Sequence, residues 1–168
     1  MKTFAGGGLS PLAPFLRRAL FLLAVIFLGT LPVPAVQILR QDGKLWVDRK
    51  VLPGQEIVTV YTHSVEQTEV RDVVRVSGGA LWTWETWTKS QNAGLPTDTG
   101  LWGRYFFRDQ WQIYQGMRTS SRRVLWRVGD AFFGKNIVEI PPDFEEKVFL
   151  SFPGQRLLCT VSWRPGLF

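Results

Sequence analysis

Only one cysteine, Cys159, and one histidine, His63, occur in the chain. A lone cysteine excludes an intramolecular disulfide and any thiol-based metal cluster. A lone histidine among scattered carboxylates lacks the ligand spacing of a zinc or calcium motif, so neither a metal nor a cofactor is expected. A glycine loop built to cradle phosphate is also missing, because Gly6-Gly7-Gly8 precedes an apolar run and follows no strand. The G-x-S-x-G elbow of serine hydrolases is absent, as are internal repeats and low-complexity tracts. Beyond Arg40 no stretch keeps the 3.6-residue apolar period for three turns, which leaves little room for amphipathic helices. Cys159 follows Leu158 in a strand-like run and reads as a buried, inert thiol.

What is present is apolar and aromatic. The 168 residues are 45% hydrophobic with 8 Trp and 12 Phe, against 20% charged, which is the make-up of a packed chain rather than a disordered one. That length holds one domain with a sizeable core. The formal charge is +6, but Lys2, Arg17 and Arg18 lie in the N-terminal segment. The remaining seventeen basic residues exceed the fourteen acidic ones by only three. Arg104, Arg108, Arg118, Arg122, Arg123 and Arg127 crowd one stretch that holds Asp109 as its only acid. They read either as solvated outer strand positions or as a face that attracts anions or lipid headgroups.

Residues 1–35 read as a signal peptide or membrane anchor. A basic flank ends in Arg17-Arg18, an apolar run extends from Ala19 to Leu31, and Val33 and Ala35 occupy the −3 and −1 places of a cleavage site. The run is shorter than the roughly 20 apolar residues of a spanning helix. With the positive flank held on the cytoplasmic side, residues 36–168 form an extracytoplasmic β domain. The expected location is periplasmic, with attachment to the inner membrane left open and no nucleic-acid partner.

From Val36 onward the pattern is all-β. Strands are expected at Val36–Gln41, Lys44–Arg49, Glu56–His63, Glu69–Val76, Leu81–Lys89, Arg104–Arg108, Gln110–Gln115, Arg123–Val128, Ala131–Ile140, Lys147–Phe152 and Arg156–Trp163. Asp42-Gly43 suits a two-residue hairpin, Leu52-Pro53-Gly54-Gln55 a type II turn, and Ser77-Gly78-Gly79 another turn. Glu145-Glu146 reads as the cap of a single helical turn, and Pro153-Gly154 as the turn of a closing hairpin. About ten short strands separated by regular turns predict a β-sandwich or a partly open β-barrel. The tryptophans Trp82, Trp84, Trp87, Trp102 and Trp111 read as core.

The sharpest stretch is Tyr61-Thr62-His63-Ser64-Val65-Glu66-Gln67-Thr68, a polar knot ending an alternating apolar run. Adjacent His63 and Ser64, with Glu66 or Glu85 as orienting acid, outline a hydrolase. Neighbouring strand residues point to opposite faces, however, so His63 activates Ser64 only if the chain bulges there. A plainer reading has His63, Ser64, Glu66 and Thr68 bonding backbone groups at a strand end. No catalytic residue is assigned. Glu85 on a neighbouring strand and the irregular stretch from Ser90 to Gly103 complete a candidate binding cluster.

Those residues, followed by Arg75-Val76, Gly79, Leu81, Glu85-Thr86, Ser90 and Ala93-Gly94-Leu95-Pro96, carry a resemblance. The chain resembles a small bacterial family, domain of unknown function 1850, over roughly Val36 to the end, most specifically from Tyr61 to Pro96. It departs from the family at Gln91-Asn92, where members commonly carry glycine or an aromatic residue. The resemblance implies a non-enzymatic accessory of a TAXI-type TRAP system that takes up organic anions such as carboxylates. It would act at the outer face of the inner membrane with a TAXI solute-binding protein, a TRAP permease, or both. The motif positions His63, Ser64, Glu66, Thr68, Glu85, Ser90, Gly94 and Pro96 are the candidate binding residues. A periplasmic hydrolase using His63 and Ser64, and a stand-alone small-ligand binder, are the alternatives.

Overall fold

The computed structural model describes residues 12–90 and 98–166. The chain divides into two compact units, Met1–Val33 with Pro165–Phe168, and Pro34–Arg164. In the first, the apolar run forms helix α1, Leu12–Thr30. Leu20, Phe21, Leu22, Leu23, Val25, Ile26, Phe27 and Leu28 are all exposed, so beyond the exposed Arg17-Arg18 pair the helix is apolar on every side. Among the described residues no helix is long and apolar enough to cross a membrane.

The regular structure of the second unit is almost entirely strand. Its elements are β1 (Val33–Leu39), β2 (Leu45–Lys50), β3 (Glu56–Thr62), β4 (Glu69–Ser77), β5 (Ala80–Thr88), β6 (Arg104–Arg108), β7 (Trp111–Ser121), β8 (Arg123–Arg127), β9 (Ile137–Ile140), β10 (Phe144–Glu146), a one-turn helix α2 (Val148–Ser151), and β11 (Arg156–Arg164). They form two open antiparallel sheets, a four-stranded one in the order β2-β1-β11-β8 and a seven-stranded one in the order β10-β9-β3-β4-β5-β7-β6. Neither closes into a barrel. Val36, Ile38, Val47, Leu157 and Cys159 of the smaller sheet share one buried cluster with Ile57, Val74, Val76, Leu81, Val138 and Ile140 of the larger, joined by Val148 and Phe152.

Turn chemistry sets the strand ends. Leu52-Pro53-Gly54-Gln55 is closed by the Gln55 N–H donating to the Leu52 carbonyl at 3.0 Å, with Gly54 at φ 88°, as a type II turn requires. Ser77 pairs with Ala80 around Gly78 and Gly79, both at positive φ, giving the expected tight hairpin. Asp42-Gly43 behaves differently. Arg40 and Lys44 flank a loop of Gln41, Asp42 and Gly43, the Arg40 N–H donating to the Lys44 carbonyl at 2.9 Å. Gly43 at φ 77° takes the left-handed place that closes such a three-residue loop.

Four further expectations are corrected. Ala131–Ile140 is strand only from Ile137, because residues 130–134 form a tight loop. Lys147–Phe152 is not a strand. As a strand it would place Val148, Leu150 and Phe152 on one face; the helical turn buries Val148 and Phe152 and leaves Leu150 63% exposed. Glu145-Glu146, read as the cap of a single helical turn, end β10; the helical turn follows as α2, with Lys147 rather than a glutamate at its N-cap. Finally, Trp82, Trp84, Trp87, Trp102 and Trp111 stay outside the central cluster, where Trp46 and Trp126 pack instead. Trp84 stacks on Arg75 with the guanidinium 4.4 Å from the ring centre, and Trp111 on Lys89 at 4.5 Å.

Cys159 is fully buried, and burial pushes its thiol up to about 12, so it stays protonated and unreactive. A thiol reagent such as Ellman's reagent is expected to leave the folded protein unmodified and to titrate one thiol in denaturant. Rapid native labelling would contradict its place in the core.

Candidate functional site

The polar knot forms the loop between β3 and β4. The His63 N–H donates to the Thr68 carbonyl at 2.8 Å, carrying the ladder one pair beyond Thr62 and Glu69. The Gln67 N–H returns to the His63 carbonyl at 2.9 Å, with Gln67 at φ 53°. Inside this turn the Glu66 N–H donates to His63 Nδ1 at 3.3 Å, so Nδ1 is an acceptor and Nε2 carries the proton of the neutral ring. Ser64 is exposed, and among the described residues no hydrogen bond joins it to His63. Thr68 keeps its hydroxyl oxygen buried without a hydrogen-bond partner among the described residues.

Two of the expected residues meet across 24 positions: the Ser90 hydroxyl donates to Glu66 Oε2 at 2.9 Å. Thr88 secures Ser90, donating its hydroxyl to the Ser90 carbonyl at 2.7 Å. Glu85 lies elsewhere. It pairs in register with Val73 and Gln115, one row from Asp72 and Thr86, and therefore on the opposite face of the sheet. Its carboxylate accepts from Trp87 Nε1 at 2.6 Å and from the Gln115 amide. Gly94 and Pro96, with the rest of residues 91–97, lie outside the described residues.

A second loop adjoins the first. The Thr62 N–H donates to the Gly134 carbonyl at 2.6 Å, tying the end of β3 to residues 130–134. Asp130 shapes that loop by accepting from the N–H groups of Phe132 at 2.8 Å and Phe133 at 2.7 Å. Those bonds, the Phe133 one foremost, hold the Asp130 carboxyl below its ordinary range. The result is two adjacent phenylalanines held outward, Phe132 82% and Phe133 62% exposed, with Val65 of the polar loop 70% exposed.

Sequence reading missed a second constellation. Between the sheets lies a cavity of about 350 Å³, lined by Thr59, Tyr61, Asp72, Val74 and Thr83 of the larger sheet and by residues 124–128, with Asn136, Val138, Val148 and Leu157. Two of its polar lining residues, Thr59 and Asp72, stand in one cross-strand row with Thr86, Tyr114 and Tyr105, which runs across β3, β4, β5, β7 and β6. The Thr86 hydroxyl donates to Asp72 Oδ1 at 2.6 Å, and the Tyr61 hydroxyl donates to the same carboxyl. Among the described residues no basic side chain pairs with it. A signal was there to be read: Val70, Val74 and Val76 mark the inward face of β4, and Asp72 falls on that same parity.

Burial pushes the Asp72 carboxyl up, with the Thr86 and Tyr61 bonds partly offsetting it, and burial together with the Asp72 charge pushes the Tyr61 phenol up. An acid whose folded pKa exceeds its unfolded one binds its proton more tightly when folded. Its ionisation therefore costs stability as pH climbs from the ordinary 3.8 through the folded value, and the full cost remains above it. Asp72→Asn removes that cost. Its stability relative to wild type, from urea unfolding across a pH series, is expected to improve as pH rises through that window; a flat difference would show that Asp72 is not desolvated.

The six arginines of residues 104–127 divide. Arg104, Arg108, Arg122, Arg123 and Arg127 are exposed and belong to none of the six ion pairs among the described residues. Arg108 lies 6.0 Å from the Trp87 ring centre, and nothing is described of the Arg118 side chain.

A family model described as Domain of unknown function (DUF1850) matches residues 57–139. The matched stretch contains both loops and every cavity-lining residue except Val148 and Leu157. No curated protein and no solved structure matches the chain.

Proposed function

Through residues 57–139 the chain belongs to the DUF1850 family, and on that premise we propose that it is a non-enzymatic accessory of a TAXI-type TRAP uptake system for organic anions. It acts at the outer face of the inner membrane, which the all-round apolar surface of α1 would hold close. The observation that carries the reading is the pair of loops tied through Thr62 and Gly134. They set exposed Val65, Phe132 and Phe133 beside the polar His63, Ser64 and Glu66. Exposed aromatic residues held rigidly beside polar groups are what a protein contact surface uses, because little side-chain entropy is lost on docking.

Recognition fits the polar residues better than turnover does. His63 Nδ1 is occupied by the Glu66 N–H at 3.3 Å, and Glu66 itself is held by Ser90 at 2.9 Å. Neither is poised to move a proton to or from Ser64. The exposed arginines add a positive field that attracts an acidic partner or anionic lipid.

A photo-crosslinking residue in place of Phe132 tests this. The expected product, in cells carrying the uptake genes, is an adduct with the TAXI binding protein or the TRAP permease, lost in Phe133→Asp. Absence of either adduct, with the protein folded and exported, overturns the proposal. Labelling of wild type but not Ser64→Ala by a serine-hydrolase probe would restore the hydrolase instead.

A further inference from the structure

The inter-sheet cavity has no part in that docking reading, and its chemistry is specific. We propose that it is a binding site for a small primary ammonium ligand with an apolar body, anchored head-first on the Asp72 carboxylate. Three observations lead there. The volume of about 350 Å³ falls in the range of roughly 300–1,000 Å³ typical of small-molecule sites. Val74, Val124, Val128, Val138, Val148 and Leu157 make most of the wall apolar, which suits a hydrocarbon body.

The polar end is one acid and its attendants. A carboxylate has about four acceptor positions, and among the described residues Thr86 and Tyr61 are the donors to Asp72. A ligand that brings N–H donors completes the set, and one that also brings positive charge supplies a counter-ion that none of the described residues provides. In a low-dielectric wall such a pair attracts far more strongly than at the surface. An organic anion would set its charge against Asp72. Arg127 also lines the cavity but is exposed, so water screens its guanidinium and Asp72 decides the sign.

Three probes with the same six-carbon body separate the possibilities: hexylammonium, hexanol and hexanoate, titrated calorimetrically into the full-length protein at neutral pH. Hexylammonium is expected to bind at least about tenfold more tightly than either of the others, with the preference lost in Asp72→Asn. Equal binding of all three, preference for hexanoate, or no saturable binding would overturn the proposal. Should Asp72→Asn fail to fold, amide shifts of labelled wild type decide. Changes centred on Asp72, Thr86 and Val138 support the site; changes confined elsewhere refute it. None of these outcomes depends on the loops meeting a transport partner, so the two proposals stand or fall separately.

Discussion

Gly129→Ala is expected to destabilise the protein by about 2 to 4 kcal/mol, read as a lower urea midpoint. A Cβ on Gly129 would land on the Phe133 carbonyl oxygen, with the Gly134 backbone close behind. Backbone cannot yield as a side chain can, so the loop must open. Opening it breaks the Asp130 N–H bond to the Phe133 carbonyl, at 2.7 Å, and the Gly129 N–H bond to Asn136 Oδ1, at 2.6 Å. Each such bond contributes about 1 kcal/mol net, and a buried group left without a partner costs about 1–3 kcal/mol. The same change swings Phe132 and Phe133 out of place, so it should abolish crosslinking through position 132 even where the fold survives. A variant as stable as wild type would mean that the loop has another conformation open to it.

Leu157→Ala is expected to cost a comparable amount, in the range of about 2–5 kcal/mol found for truncation of buried leucine. Leu157 is fully buried at the centre of the smaller sheet, where β11 lies between β1 and β8. It also forms part of the cavity wall, so truncation adds to a void that already exists rather than opening a sealed one. That argues for the lower half of the range. The enlarged cavity should admit a longer alkylammonium than wild type does, measurable as a shift in the preferred chain length. Loss of stability without any change in chain-length preference would separate Leu157 from the ligand site.

Local signals in the sequence foretold local features well. Pro53-Gly54 and Gly78-Gly79 fix their turns through backbone angles that few other residues adopt, and those turns form where the residues put them. Lys147–Phe152 was ambiguous because Val148, Leu150 and Phe152 satisfy a strand while Val148 and Phe152 satisfy a helix. Which two are buried depends on what faces them, and that includes a residue over a hundred positions away, Trp46, whose ring centre lies 4.9 Å from that of Phe152. Sheet membership was likewise hidden. Nothing within Arg123–Arg127 says that it leaves the sheet of β7 and joins β11 in the other.

The candidate site follows the same division. Glu66 and Ser90 meet because a hairpin loop and the end of the next strand are neighbours in any meander. Glu85 looked like their companion, but strand parity at a β-bulge between Thr83 and Glu85 assigns it to the other face, and bulges have no reliable sequence mark. Asp72 was legible in principle. It is the one charged residue on an inward row of valines, and its importance emerges only when the facing sheet closes over it.

The strand order β2-β1-β11-β8 has a consequence in time. Its members come from residues 33–50, 123–127 and 156–164, and the strand that joins β1 to β8 comes after both of them in sequence. While the polypeptide is being synthesised, β1 and β8 have nothing between them, and the valines of the larger sheet have no lid. Folding must wait for residues 156–164, and pairings this distant in sequence form on the millisecond-to-second scale rather than the microsecond scale.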